Sequence, residues 1–337
     1  MTLGRREFLA LMGAGAGSSL LLAACGKLGG ERSAKGPVIG ILQMVDAPPP
    51  NQTRDGVIAA LADAGFKDGS TVTLIRKDAA GELPNTTLVM KQFLGEPVDM
   101  VVAVGTPPLQ AAMKVMPASV PVIFTYTSNP WGAGAGTPPG GVGQHKPNVV
   151  GTIGTNPVGK ELDLARAVNP ALKTVGLIFN PGEPNSEYEA KVLREEAAKR
   201  GITVVEQAVA NSGEVLQAAQ ALAEKQVEAF VKIGDYATIQ GFGSIAKVGL
   251  ENKIPVYSVD ADDIKLPGTL ATIGWTYHAD GYAAGKLAVR VLKGESPAKI
   301  AFEPLTKTDL LVSKTTAKAI GVTLPDSLLK EATQVVG

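Results

Sequence analysis

The feature of this sequence that most constrains its fold is an alternation of short apolar runs with helical segments, repeated in two halves. The apolar runs of the first half are VIGILQ, VTLIR, DMVVAVG and PVIFTY, and those of the second are TVGLIFN, ITVVEQAV, EAFVKIG and PVYSVD. Short β-branched runs separated by helices are typical of parallel sheets that are covered on both faces. The repeat therefore predicts an α/β protein made of two doubly wound parallel-sheet lobes.

The ends of the two repeats predict where the chain passes between the lobes. After the run TLATIGW, a helical pattern near 278–293 is expected to pack on the first lobe. We therefore assign 37–156 and 276–297 to lobe 1, and 157–275 and 298–337 to lobe 2. Three crossings between two open sheets describe a multi-crossover hinge.

The N-terminus has the pattern of an export signal with a lipid attachment site. Paired arginines precede an apolar run of about 16 residues, shorter than the ~20 that span a bilayer as a helix. The run ends in LAAC, which resembles the bacterial lipobox, so we expect residues 1–24 to be a signal peptide and Cys25 to be the lipid-bearing first residue. Residues 25–36 are expected to form a tether. A buried structural cysteine is the alternative, and export by the twin-arginine or the general route stays open.

Charge and composition argue against several classes of protein. The 32 basic and 32 acidic residues balance, which argues against a nucleic-acid partner. Cys25 is the only cysteine, so no disulfide or thiol nucleophile is expected in the folded part. His145 and His278 are the only histidines, and neither a Ser-His-Asp arrangement nor metal-ligand spacing is found. We therefore expect no catalysis, no cofactor and no metal.

Open parallel sheets bind ligands beyond the carboxyl ends of their strands, so the loops that follow the predicted strands are the candidate site. These loops are rich in aromatic residues although aromatics make up 5% of the chain. Tyr126, Trp131, Tyr236 and Trp275 are candidates to line a pocket, and the alternative is that they fill the cores.

Two kinds of polar residue in the same loops suggest ligand contacts. Thr106 precedes two prolines at a predicted helix start, where free amides would suit a carboxylate, although it could also be a cap alone. Four acids, Asp46, Glu183, Asp235 and Asp260, could accept hydrogen bonds from a ligand amine or hydroxyl, or could be solvated acids and caps.

Motifs along the whole mature chain resemble those of a known family. VIGILQMVDAPPPNQTRDG, VVAVGTPPLQAA, VIFTYTSNPWGAG, GLIFNPGEPNS, IPVYSVDADDI and LATIGWTYHADGYAAGKLAVRVLKGE resemble, in this order, substrate-binding lipoproteins of ABC importers in the tryptophan/tyrosine-binding group. The resemblance implies a type I periplasmic-binding-protein fold with the ligand enclosed between the lobes. The binding residues that it implies are Met44, Asp46, Thr106, Thr125, Ser128, Asn185, Ser186 and Asp235.

The resemblance also implies the setting of the protein, and departures from the family pattern bear on the ligand. It implies an exported lipoprotein of the periplasm or cell envelope, monomeric, that works with an ABC permease and its ATPase. Asn129, Tyr236 and Trp275-Thr276 stand where the family often has aspartate, asparagine and isoleucine-aspartate. We therefore expect a small aromatic or apolar carboxylate, or an amino acid whose amine relies on Asp235 or Asp46. An exported receptor that presents its closed form to a membrane sensor is the alternative.

Overall fold

The structure is a computed structural model that describes residues 36–337. The predicted signal peptide and the lipid attachment site at Cys25 lie outside the described residues. The strands, in chain order, are β1 (Val38–Gln43), β2 (Thr73–Asp78), β3 (Met100–Val104), β4 (Val122–Thr127), β5 (Val149–Ile153), β6 (Thr174–Phe179), β7 (Thr203–Ala208), β8 (Phe230–Val231), β9 (Val256–Ser258), β10 (Thr269–Trp275), β11 (Glu303–Pro304), β12 (Thr308–Ser313) and β13 (Gln334–Val336).

Helices connect most of these strands. In chain order they are α1 (Pro48–Asp63), α2 (Leu83–Gly95), α3 (Thr106–Val115), α4 (Val158–Val168), α5 (Pro184–Lys199), α6 (Val215–Glu224), α7 (Tyr236–Asn252), α8 (Tyr277–Leu292), α9 (Lys314–Ile320) and α10 (Asp326–Glu331). Within 36–337, no helix combines the length and the apolar character that crossing a membrane requires.

The strands form two sheets whose orders repeat one another. The first runs β11-β5-β4-β3-β1-β2, and the second runs β13-β12-β10-β9-β8-β6-β7. The pairings in both sheets are parallel except that of β10 with β12. Buried aliphatic side chains cover both faces of each sheet, as buried parallel strands require. The predicted fold of two doubly wound α/β lobes is confirmed.

Helix α8 follows a strand of the second sheet but packs on α1 of the first lobe, because glycines let the two helix backbones approach. A Cβ atom on Gly281 would lie 1.8 Å from the Thr53 carbonyl oxygen, and one on Gly56 would lie 2.1 Å from that of His278. Side chains at these positions would push the helices apart. The glycines therefore hold the second crossing of the hinge in place.

The third crossing lies beyond the position expected from the sequence. Residues 303 and 304 form β11, which pairs with β5 and so extends the first sheet. The chain then enters the second sheet at β12, after the segment 305–307. The expected boundary at 298 falls ahead of β11, because a two-residue strand carries no periodic signal that a sequence could show.

Candidate functional site

A narrow cavity lies between the two lobes, at the carboxyl ends of strands from both sheets. Ligands of open parallel sheets bind at this edge, so the cavity is the candidate site. The residues that line the cavity are Tyr126, Ser128, Gly154, Asn156, Asn185, Glu189, Gly234, Tyr236, Ile239, Trp275, Tyr277 and Asp280.

Five residues predicted from the sequence line this cavity. Tyr126 and Ser128 lie at the end of β4, Asn185 and Tyr236 in the first turns of α5 and α7, and Trp275 at the end of β10. The ring of Tyr126 lies 6.3 Å from that of Tyr236, with an angle of 62° between the planes. The structure thus brings together aromatic and amide groups from both lobes.

The other predicted residues lie outside the cavity lining. Met44 is buried in the first-lobe core, whereas Asp46 is exposed and accepts a hydrogen bond from Asn51 Nδ2 at 2.6 Å. Trp131 stacks on Phe302 with 5.7 Å between the ring centroids. The remaining predicted residues outside the lining are Thr106, Thr125, Glu183, Ser186, Asp235 and Asp260.

Asp235, a candidate to meet a ligand amine or to cap a helix, caps α7 in the structure. Its Oδ1 accepts a hydrogen bond from the Thr238 amide at 2.7 Å. Its Oδ2 accepts bonds from the Asn180 amide at 2.7 Å and the Ser186 hydroxyl at 2.6 Å. Both oxygens are therefore engaged with protein groups, and Ser186 contributes to the same arrangement.

The start of α3, where Thr106 is a candidate contact for a ligand carboxylate, offers few hydrogen-bond donors. The two residues that follow, Pro107 and Pro108, carry no amide hydrogen, so the first turn offers few donors. Gly105, which precedes the helix, also lies against Tyr236: a Cβ atom on Gly105 would be 2.1 Å from the Tyr236 hydroxyl oxygen. A side chain of the second lobe therefore covers this helix start.

Glu189 is a buried acid of the cavity that the sequence analysis missed. Its carboxyl accepts hydrogen bonds from the Gly234 amide at 2.7 Å and from Asn156 Nδ2 at 3.1 and 3.0 Å. Burial raises the pKa of Glu189 to about 7, although these hydrogen bonds oppose the rise. The sequence does contain a signal for Glu189: it lies four residues after the predicted contact Asn185 and so shares the same face of the helix.

Asp280 is a second acid of the lining that was missed. It lies in α8, accepts a hydrogen bond from the Tyr126 amide at 3.0 Å, and receives another from the Thr152 hydroxyl. Burial raises its pKa, while hydrogen bonds from Thr152, Tyr126 and Thr125 act in the opposite direction. Thr125 therefore affects the site by lowering the pKa of Asp280, which lines the cavity.

Asp260 lies one step behind the cavity, in a buried group of charges. The Tyr277 hydroxyl and Lys232 Nζ both donate hydrogen bonds to Asp260, and Lys232 also contacts Asp263 at 2.7 Å. Burial alone would lower the pKa of Lys232, but Asp260 and Asp263 raise it above its ordinary range. Asp260 thus holds the Tyr277 ring, which lines the cavity.

Four polar atoms of the lining are available to a ligand. Among the described residues, the lining atoms that are buried and have no hydrogen-bond partner within the protein are Ser128 Oγ, Asn156 Oδ1, Asn185 Oδ1 and Trp275 Nε1. Buried polar atoms in native proteins are nearly always paired, so these four are suited to hydrogen bonds with a ligand. In the same part of the chain, no cluster of His, Cys, Asp or Glu could hold a metal ion.

Comparison with known proteins identifies the family. Residues 38–336 match the family of ABC transporter substrate-binding proteins. The chain belongs to this family. Its members are transporter components and not enzymes, and the resemblance noted in the sequence is confirmed.

Individual relatives agree with this assignment. The chain is 32% identical over 285 residues to a tyrosine-binding protein of Clostridioides difficile (strain R20291). The aligned region covers 84% of this chain and 80% of that protein. It also resembles a conserved domain protein of Vibrio cholerae, with 27% identity, a TM-score of 0.84, and coverage of 89% of this chain and 100% of the other.

Two further structures differ in ligand state. The ABC domain of Streptococcus pneumonia in complex with L-Trp is 29% identical, with a TM-score of 0.83 over 90% of this chain and 100% of the other. The ligand-free, open structure of a substrate-binding protein with adhesive properties from Clostridium difficile is 31% identical, with a TM-score of 0.67 over 89% and 99%. At nearly equal identity, the described residues superpose better on the ligand complex than on the open protein.

Proposed function

We propose that the protein is an extracytoplasmic substrate-binding lipoprotein of an ABC importer that captures a small amine-bearing molecule with an aromatic or apolar part. One observation carries the proposal: the inter-lobe cavity sets two buried carboxyls, Glu189 and Asp280, beside aromatic rings from both lobes. A buried carboxylate without a countercharge is unfavourable, and a ligand ammonium group that pairs with it removes this cost.

The geometry supports capture by closure of the lobes. The lining comes from β4, β5 and α8 on one side, and from α5, α7 and β10 on the other. A ligand that contacts both sides binds the closed form more tightly than the open form, and therefore shifts the population toward closure. The closed, loaded protein differs in shape from the open, empty protein, so a permease can distinguish the two.

The names of the relatives support aromatic amino acids as the first ligands to test. One relative is named for tyrosine and another was solved with L-Trp. The export pattern of residues 1–24 and the lipobox before Cys25 support a membrane-anchored location in the periplasm or cell envelope. We further propose that the protein acts as a monomer with an ABC permease and its ATPase, and binds no nucleic acid.

Calorimetry with the purified protein tests the ligand class. L-Tryptophan, L-tyrosine, their amines and their deaminated acids should be titrated together with a sugar such as glucose. We expect binding of at least one amine-bearing compound, and a loss of about tenfold or more in Glu189→Gln, where a charge-assisted hydrogen bond becomes a neutral one. Glu187→Gln is the matched control, because Glu187 lies on the exposed side of the same helix. Binding of glucose alone would refute the proposal.

A further inference from the structure

We propose that Trp275 and Ser128 bind the carboxylate of an amino-acid ligand, and that Trp275 is the residue that distinguishes the amino acid from the corresponding amine. This inference rests on the proposed function and assigns each charged group of the ligand to one end of the cavity. It follows from the hydrogen-bonding character of the four lining atoms that have no partner, and from the groups around them.

The two unpartnered asparagine oxygens belong to a connected group of acceptors around Gly234. Asn156 Nδ2 donates to the Glu189 carboxyl, and Asn185 Nδ2 donates to the Gly234 carbonyl oxygen at 2.7 Å. These bonds fix the orientation of both amide groups, so the atom that each leaves unpaired is Oδ1, an acceptor. The Gly234 amide in turn donates to Glu189 at 2.7 Å. This end of the cavity therefore suits an ammonium group, which has three donors and no acceptor.

The other two unpartnered atoms suit an anion. Trp275 Nε1 is a donor that cannot accept a hydrogen bond, so an ammonium group cannot be its partner. Ser128 is 5% exposed, and its hydroxyl can donate as well. A carboxylate accepts hydrogen bonds at both oxygens, and bonds to an ionised acceptor are about twice as strong as neutral ones. The carboxylate of an amino acid therefore satisfies both of these atoms.

The polar edge of the Trp275 ring lies beside Gly154, which follows β5 and lines the cavity. A Cβ atom on Gly154 would lie 3.8 Å from Trp275 Cδ1, the ring carbon bonded to Nε1, and 3.9 Å from Asp280 Oδ2. Asp280 is already engaged, because its oxygens accept hydrogen bonds from the Tyr126 amide and the Thr152 hydroxyl. Burial also raises the pKa of Asp280, which weakens the repulsion between this acid and a ligand carboxylate. Trp275 Nε1 is thus the unpaired group at this end of the cavity.

No basic side chain competes for the carboxylate within the described lining. The cavity residues of 36–337 include no lysine or arginine, and the buried Lys232 behind them is engaged with two acids. Pro107 and Pro108 lack the amide hydrogens that the start of α3 would otherwise offer. Recognition of the carboxylate therefore depends on neutral donors, and Trp275 supplies one from the end of β10.

Calorimetry with L-tryptophan and tryptamine tests the assignment, because the two compounds share a ring and an amine and differ in the carboxylate. We expect the wild type to bind L-tryptophan at least about tenfold more tightly, and L-tyrosine to exceed tyramine in the same way. Trp275→Phe keeps a ring and removes the N–H donor. It should reduce the preference by about tenfold and leave the affinity for tryptamine within about threefold. Trp131→Phe is the matched control, since Trp131 stacks on Phe302 outside the lining, and it should keep the wild-type preference.

Two further variants separate the ends of the ligand. Ser128→Ala removes the second donor, and should weaken L-tryptophan more than tryptamine. Glu189→Gln changes the opposite end, and should weaken both compounds by similar factors because both carry an ammonium group. A loss that depends on the carboxylate in the first variant and not in the second distinguishes recognition of that group from general damage to the site.

Fluorescence reports on the Trp275 ring itself. Trp131 and Trp275 are the two tryptophans of the chain, so tryptophan emission from the Trp131→Phe protein comes from Trp275 alone. Saturating L-tyrosine should change this emission more than saturating tyramine does, because only the amino acid brings a carboxylate to Nε1. Equal changes with the two ligands would contradict a contact between the carboxylate and Nε1.

The outcomes distinguish this inference from the proposed function. Tryptamine bound as tightly as L-tryptophan by the wild type would overturn the inference and leave the proposed function standing. The same holds for a preference that is unchanged in both Trp275→Phe and Ser128→Ala, or for a Trp275→Phe variant that weakens both compounds equally. Binding of neither the amino acids nor the amines would overturn the inference and the proposed function together.

Discussion

The buried carboxyl of Glu189 makes the ligand-free protein less stable as the pH rises, whereas most acids in folded proteins make it more stable. Burial raises the pKa of Glu189 from an ordinary 4.5 to about 7. The folded protein therefore holds a proton that the unfolded chain releases between these two pH values. Stability from this group is fully present below about pH 4.5 and is lost as the pH rises through about 7.

The size of this effect follows from the difference between the two pKa values. Each pKa unit corresponds to about 1.4 kcal/mol, so Glu189 lowers the free energy of unfolding by about 3 kcal/mol between about pH 4.5 and 8.5. Glu189→Gln removes the titration and keeps the shape. The variant should therefore match the wild type at the acidic end of this range, and exceed its stability by about 3 kcal/mol at the alkaline end.

Urea unfolding of the purified protein, followed by circular dichroism across this pH range, measures the difference. Glu187→Gln provides the matched control, because this exposed glutamate lies two residues before Glu189 on the same helix and pairs with Arg194 at the surface. The control should follow the wild type within about 0.5 kcal/mol at each pH. A Glu189→Gln variant whose stability changes with pH as steeply as that of the wild type would refute the reasoning.

Three further predictions concern other parts of the protein. Lys232→Met should lower the free energy of unfolding, measured in urea, by about 3–5 kcal/mol, because it leaves Asp260 without its countercharge. Lys225→Met at the surface is the control and should change it by less than about 0.5 kcal/mol. A loss as small in Lys232→Met would contradict this prediction. Gly105→Ala should destabilise the closed form by about 1–3 kcal/mol relative to the open form, since its Cβ atom would lie 2.1 Å from the Tyr236 hydroxyl of the other lobe. Small-angle scattering should show a larger radius of gyration, and an unchanged radius would count against this prediction. Mass spectrometry of membrane-extracted protein should find an acylated Cys25 at the mature N-terminus, and an unmodified thiol there would exclude the lipid anchor.

The fold could be predicted because its signals are local and repeated. Each strand of the sheet cores is a short apolar run, such as the residues of β1 and β3, and each is followed by a segment of helical period. The two-residue strand β11 could not be predicted in this way. Its place is decided by the pairing of Glu303 and Pro304 with β5, which is far away in the sequence.

The candidate site could be predicted only in part. Tyr126, Ser128 and Trp275 were found because they end strands, where ligands of open sheets bind. Glu189 was missed because it lies one turn inside α5, in a helix of mixed charge where a glutamate is usually solvated. A glycine at position 234 leaves the space in which this carboxyl meets Asn156, since a Cβ atom there would lie 2.7 Å from Asn156 Nδ2.

The sequence by itself determined the two α/β lobes, the order of their elements and the loops that surround the cleft, because hydrophobic periodicity and turn residues act over a few neighbouring positions. Only the tertiary structure decided which acids face the cavity. Asp235 stands in a strand-end loop, yet its oxygens are taken by amides and a hydroxyl from neighbouring segments, whereas Glu189 and Asp280 reach the cavity from helices. Burial and hydrogen-bond partners depend on the packing of distant segments, and for that reason the chemistry of the site could not be inferred from the type of each residue.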